Sequence, residues 1–127
     1  MPIHVVAAVV ERDAYFLICQ RALDKRHGGL WEFPGGKLNT DETHADAARR
    51  ELTEELGVEV RTVGAVRSSR SDPESEFVID FVDVEVEGAP EVREHQALAW
   101  VSSEEMSSYE MPPTDRAFAE LLRSQGI

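Results

Sequence analysis

The sequence predicts an α+β fold, a mixed β-sheet with helices packed on it. Three observations lead there. Runs rich in valine, isoleucine and phenylalanine recur at residues 3–11, 15–20, 58–66 and 77–87, with a short apolar run containing Trp100 at 97–101, and such residues fit a pleated, half-buried surface. A long helical pattern interrupts the strands near the middle, and a second closes the chain. No repeat, linker or low-complexity stretch divides the 127 residues, a length that suits one compact domain over 1–127. Strands broken by one helix and followed by another are expected to form helices layered on a sheet.

Taken in order, Ile3 to Glu11 reads as a strand and Tyr15 to Gln20 as another. Polar Arg12-Asp13 lies between them, so the two are expected to form a hairpin. His4 reads as a surface or packing residue, and Cys19 as a small hydrophobe on a strand. Arg21 to Gly29 is locally basic and then glycine-rich. Lys25 and Arg26 read as a solvated loop, whereas Arg21 directly follows a strand and is better placed to meet a substrate. Trp31, Glu32 and Phe33 form a short extended run, with Glu32 pointing opposite to the two aromatics. Phe33 reads either as core or as a ring that stacks on a base. Gly35-Gly36 then reads as a loop in which backbone approaches a ligand closely.

The helix follows. Thr40, Asp41 and Thr43 offer N-cap oxygens, and Gly57 stops the helix after Leu56. Ala45, Ala48, Leu52 and Leu56 make its apolar stripe. Glu51, Glu54 and Glu55 fall at i, i+3 and i+4, so their carboxylates neighbour one another. That crowding is unfavourable by a few tenths of a kcal/mol per pair (about 0.2–0.5) in an isolated helix. It reads either as a solvated acidic face or as a hard-cation site, because such ions take carboxylate oxygens.

Beyond the helix, Val58 to Val66 is extended and Ser68 to Ser75, with Pro73, reads as a loop. Phe77 to Glu87 alternates from Val82 onward, the pattern of a half-buried strand. Arg93-Glu94-His95 is a charged loop before a short strand, Ala97 to Val101. Ser102 to Glu105 looks like a helix start, Met111-Pro112-Pro113 breaks the chain, and Thr114 to Arg123 is the last helix. Its apolar face is Ala117, Phe118, Leu121 and Leu122.

The net charge of −12 argues against nucleic acid and anionic membranes as partners. An anionic substrate then needs a metal bridge and a local basic patch. The lone cysteine excludes an internal disulfide, and no secretory or membrane-length apolar run is present. A cytoplasmic location and a monomer or homodimer are the expectations.

Gly36, Glu42, Arg50, Glu51, Leu52, Glu54, Glu55, Gly57 and Val58 match every defined position of the Nudix box, G-x5-E-x7-R-E-U-x-E-E-x-G-U with U a bulky aliphatic. The chain therefore resembles the Nudix hydrolases, and this resemblance implies an α/β/α sandwich and cleavage of a diphosphate bond in a small nucleotide substrate. It further implies Mg²⁺, with Mn²⁺ as a substitute, on Glu51, Glu54, Glu55 and the Gly35 carbonyl. Arg50 would orient a neighbouring carboxylate, Glu42 would steady the loop–helix junction or reach an outer metal, and Lys37 would meet a phosphate. Glu94 is the candidate for a further carboxylate that ligates metal or helps to activate water; His95 beside it reads as a bystander.

Trp31-Glu32-Phe33-Pro34-Gly35-Gly36-Lys37 is similar to the lead-in of MutT-like members, and Glu94-His95-Gln96-Ala97-Leu98-Ala99-Trp100 is similar to the bacterial CTP pyrophosphohydrolase branch. That likeness implies a nucleoside triphosphate pyrophosphohydrolase acting on oxidised nucleotides such as 8-oxo-dGTP or on cytosine nucleotides. Arg21 would face the nucleotide, and Asp115 would read a base edge bearing donors or else cap the last helix. The chain departs from that branch at Glu76, where an arginine or aromatic is usual. Pro73 favours, as an alternative, a pyrophosphatase of ADP-ribose or a similar compound. A nucleotide-sensing module without catalysis is a third reading, and the intact box carboxylates speak against it.

Overall fold

A computed structural model describes residues 2–126. Its strands are β1 (Ile3–Val9), β2 (Glu11–Arg12), β3 (Tyr15–Gln20), β4 (Trp31–Glu32), β5 (Gly35–Lys37), β6 (Glu59–Ser71), β7 (Phe77–Glu87) and β8 (Ala97–Val101). The helices are α1 (His44–Leu56) and α2 (Pro113–Ser124), with one 3-10 turn at Glu105–Ser108. One sheet runs β5-β1-β7-β6; in the other β3 lies between β4 and β8, with β2 also paired to it. The β1–β7 pair is parallel and the other pairs are antiparallel, so the predicted mixed sheet is present.

β1 is central because both of its faces are apolar. Val6 and Ala8 turn to one side, Ala7 and Val9 to the other, and all four are buried. Val6 and Ala8 join Leu17, Leu52, Leu56 and Val82 beneath α1, while Ala7 and Val9 join Phe16, Phe81, Phe118 and Leu122 beneath α2. A helix therefore covers each face, giving the α/β/α sandwich. Cys19 is fully buried between strands, as the sequence suggests, and burial pushes its thiol well up; such a thiol is inert.

Three expectations are corrected. The first two runs do not pair as one hairpin. Both edges of β1 are taken, by β5 and by β7, and the chain changes sheet at Val10, whose carbonyl accepts from Leu17 N at 3.0 Å. The hairpin joins only β2 and β3, through Asp13 and Ala14 at φ 52° and 69°, the positive pair that suits a tight two-residue turn. The 68–75 segment is not a loop throughout: β6 runs on to Ser71, paired with Val78, because its long partner β7 is there to satisfy its backbone. The Gly35-Gly36 segment is likewise strand β5, with Gly36 opposite Val6 and Gly35 opposite Ala7.

α1 starts and stops as its residues dictate. Thr43 is the N-cap, accepting from Asp46 N while the Asp46 side chain accepts from Thr43 N. Gly57 ends it in the left-handed conformation, φ 67°. Ala47 is more deeply buried than the predicted stripe member Ala45. The first turn is also tied to the sheet by buried Asp80, whose carboxylate accepts from His4 Nδ1 and His44 Nε2 at 2.8 Å each and from Ser69 Oγ at 2.7 Å. His4 thus has a packing role. α2 begins at Pro113, one residue before its predicted start, a helix position where the missing proline N–H costs nothing.

Candidate active site

The site lies where β5, the start of the 21–30 loop, α1 and the 88–96 loop meet. Glycine permits the closest approach. A side chain on Gly36 would occupy the space of the Glu51 carboxyl, and one on Gly35 would strike the Val6 carbonyl. The two glycines thus let β5 pair with β1 and still lie directly against the carboxylate face of α1.

Arg50 holds that arrangement. Its Nε and Nη2 donate to the two Glu42 oxygens at 2.9 and 2.7 Å, Nη2 also to the Lys37 carbonyl at 3.0 Å, and Nη1 to Glu51 Oε1 at 2.5 Å. One guanidinium therefore joins β5, the loop before α1 and the helix itself, which needs the planar fork of arginine. Arg50 and the Asn39 N–H hold the Glu42 carboxyl down at about 2. Glu42 thus stays ionised in its bridge to Arg50.

Of the three helix carboxylates, Glu55 is buried, Glu51 half-buried and Glu54 exposed. Burial pushes the Glu55 carboxyl far above the carboxylate range, helped by a hydrogen bond with Glu51 and by the negative charges of Glu51, Glu32 and Glu94. Crowding of this kind fits a divalent ion, which would add positive charge beside Glu55. The carboxylates are grouped but open: among the described residues, no three His, Cys, Asp or Glu side chains close on one point at metal-binding spacing.

Two cavities open beside this group. A polar one, about 200 Å³, is lined by Glu55, Glu94, Glu32, His95, Arg21 and Gly35 among others. Glu94 reaches it because its loop docks on the end of α1. The Glu91 N–H donates to the Leu56 carbonyl at 2.8 Å and Arg93 Nη1 to the Thr53 carbonyl at 3.2 Å, a favourable place for a cation at a helix C-terminus. A larger and more apolar cavity, about 260 Å³, has walls that include Phe33, Lys37, Phe77, Ile79 and Asp115. Arg21, Glu32 and Gly35 line both.

The predicted substrate residues fall into place unevenly. Lys37 is exposed at the rim with Nζ 5.0 Å from the Phe77 ring centre. Phe33 packs its ring edge-on against Phe81 and Phe118, at 5.7 and 5.4 Å, while still lining the larger cavity. Asp115 is buried in the first turn of α2 and accepts from the Phe33 N–H at 3.0 Å. Burial and the nearby negative charge of Glu32 push its carboxyl up to about 7. Arg21 does not project freely: Nη1 reaches both oxygens of Glu32 at 3.2 and 3.3 Å, and Nε donates to the Arg26 carbonyl at 2.6 Å.

Glu32 and His95 are site residues that the sequence reading passed over. His95 is no bystander; it is enclosed between Glu32 and Glu55. The signal for Glu32 was its alternation, an acid turned away from two core aromatics just before the glycines. For His95 the signal was its place in the Glu94 to Trp100 run that is similar to the CTP pyrophosphohydrolase branch.

A glycine-lined strand thus lies against a carboxylate helix, with an apolar cavity alongside. The NUDIX domain family model matches residues 1–122, and the chain belongs to the Nudix family. It is 43% identical over 116 residues to the CTP pyrophosphohydrolase of Escherichia coli (strain K12), covering 89% of this chain and 85% of that protein. It is 35% identical over 124 residues to the putative 8-oxo-dGTP diphosphatase 2 of Mycobacterium tuberculosis (strain H37Rv), covering 94% and 88%. A solved MutT structure, from work on the Aliivibrio salmonicida and Vibrio cholerae proteins, superposes with a TM-score of 0.83 at 31% identity, covering 98% of this chain and 99% of that one.

Proposed function

We propose that this protein hydrolyses nucleoside triphosphates to the monophosphate and pyrophosphate, using Mg²⁺ or Mn²⁺, with cytosine or oxidised guanine nucleotides as substrates. The observation that carries this reading is the shared wall of Arg21, Glu32 and Gly35, which joins a carboxylate-lined cavity to a more apolar one. The first suits an ion and phosphates, the second a base. The similarity to a CTP pyrophosphohydrolase and to a putative 8-oxo-dGTP diphosphatase supports it.

Glu51, Glu54, Glu55 and Glu94, with the Gly35 carbonyl, would hold the metal. A divalent ion there neutralises phosphate oxygens, lowers the pKa of bound water and steadies the leaving group. Arg50 aligns Glu51, and Lys37 meets a phosphate from the rim. Glu94, exposed at the mouth of the polar cavity, would serve either as a ligand of that metal or to help activate the attacking water. In the larger cavity Asp115 presents a carboxyl that titrates near neutrality. It accepts from an amino group when ionised and donates when protonated, which suits the donor-bearing edge of cytosine or of an oxidised guanine.

A pyrophosphate-release screen with Mg²⁺ tests this across canonical and oxidised triphosphates, with ADP-ribose as the contrast. Turnover of CTP-type or 8-oxo-guanine nucleotides with pyrophosphate as product is the expected result. Cleavage of ADP-ribose alone would keep the metal chemistry and overturn the base pocket.

A further inference from the structure

His95 is nine-tenths enclosed, its side chain only 7% exposed. Nε2 lies 3.2 Å from Glu32 Oε2 and 3.7 Å from Glu55 Oε1, while Nδ1 is buried without a hydrogen-bond partner. An ionised carboxylate only accepts, so the tautomer assigned by this contact carries its proton on Nε2 and donates to Glu32. Glu32 is therefore gripped from two sides, by His95 and by the Arg21 guanidinium on both oxygens. It stands in the wall between the two cavities.

The polar cavity gathers three glutamates. Glu32, Glu55 and Glu94 all line it, and hard cations recruit whichever carboxylates can reach them. A Glu32 drawn to the ion would leave Arg21 without its carboxylate partner and take the Glu32 charge out of the larger cavity.

We propose that His95 sorts these carboxylates: it holds Glu32, together with Arg21, on the nucleotide side of the wall and keeps it from joining Glu55 as an ion ligand. The inference rests on the nucleotide reading given above. His95 is thus a positioning residue that acts through Glu32. An apolar side chain of similar size would fill its space without holding Glu32. Glutamine, whose terminal amide reaches about as far as Nε2, would hold it.

The test uses the full chain with His95→Leu, His95→Gln, Glu32→Gln and the double variant His95→Leu/Glu32→Gln. Two quantities are measured: KM and kcat for the triphosphate that the wild type turns over best, and the Mn²⁺ dissociation constant by calorimetry of the nucleotide-free protein. His95→Leu is expected to raise KM about tenfold, the scale of one hydrogen bond to a charged group, with a smaller change in kcat and tighter Mn²⁺ binding. His95→Gln should stay near the wild type in both. On the Glu32→Gln background, His95→Leu should add nothing further. Wild-type KM and Mn²⁺ affinity in His95→Leu would overturn the proposal. So would a His95→Gln variant as impaired as His95→Leu, or an undiminished leucine effect on the Glu32→Gln background. Should the leucine variant not fold, His95→Asn replaces it, since its amide is too short to reach Glu32, with the same outcomes expected and the same ones fatal. A wild type that cleaves no triphosphate would instead sink the nucleotide reading, and the Mn²⁺ measurements would still decide the sorting of carboxylates.

Discussion

At the scale of single residues, the box carboxylates and Asp115 differ in kind. The carboxylates were legible because their spacing is fixed by the helix: Glu51, Glu54 and Glu55 share a face by periodicity alone. Their unequal burial was not legible, since it depends on β5 and on the 88–96 loop. Glu54→Gln removes a charge from the proposed metal site without changing its shape. We expect roughly a thousandfold loss of kcat, about 4 kcal/mol, with the fold intact by circular dichroism; full activity would remove Glu54 from the mechanism. Asp115 makes a different prediction. Its carboxyl is raised to about 7 in the fold from 3.8, so the fold favours the protonated form. The stability this gives is fully present below pH 4, declines as pH rises toward 7 and is absent above it. Three pH units correspond to roughly 4 kcal/mol at most. Asp115→Asn keeps an oxygen to accept from the Phe33 N–H and abolishes the titration. Its melting temperature should therefore exceed that of the wild type at pH 8 and lose that advantage at pH 4.5. A constant difference across that range would show that the raised carboxyl is not what couples stability to pH here.

At the scale of elements, helix ends were the more legible because caps are local: the stop of α1 at Gly57 and the start of α2 were read to within a residue, while Thr40, Asp41 and Thr43 stood as alternative N-caps of α1. Thr43, Asp46 and Gly57 act within one turn of their own backbone. The strands were harder, because pairing is not local. The sequence of β1 says that both faces are buried but does not say that β5 and β7 flank it, and so the hairpin with β3 was wrongly expected. Glycines at 35 and 36 read as a loop because their strand role depends on the close approach of Glu51 and Val6. The attachment of α1 to the sheet was equally hidden, since His4, His44, Ser69 and Asp80 come from four separate elements. Burial alone would raise the Asp80 carboxyl, but the bonds from His44, Ser69 and His4 outweigh it and hold it below its usual value. Asp80→Ala deletes the common acceptor of three donors. The variant should lose about 2–3 kcal/mol by urea denaturation, near one hydrogen bond's worth for each donor. Stability falling by less than 0.5 kcal/mol (about the noise of a surface change) would mean that the cluster contributes little. Arg50→Lys is the companion case at the other end of the helix's loop. A lysine cannot span Glu42, Glu51 and the Lys37 carbonyl together, so kcat should fall while the melting temperature changes by less than for Asp80→Ala.

At the scale of the whole molecule, the dominant fact is charge. A chain with a net charge of −12 brings Glu32, Glu51 and Glu94 near enough to Glu55 that each of the three pushes the Glu55 carboxyl up. The fold tolerates this because the caps, the two-sided core and the Arg50 bridge hold α1 in place. The same repulsion is absent from an unfolded chain, in which the carboxylates separate. A divalent ion therefore binds the native state in preference to the unfolded one, and linkage converts that preference into stability: at a free concentration a hundred times the dissociation constant the gain is about 2.7 kcal/mol. Millimolar Mg²⁺ should raise the melting temperature by several degrees over NaCl of matched ionic strength, and EDTA should reverse the rise. Ionic strength must be matched because a monovalent salt also screens the net charge. The Glu55→Gln variant separates the two effects. It removes the most crowded carboxylate, so its metal-free form should melt at or above the wild type, while the Mg²⁺ increment shrinks. Equal increments in both proteins would mean that the stabilising ion binds elsewhere on this acidic surface, and the carboxylate group on α1 would lose its claim to be the metal site.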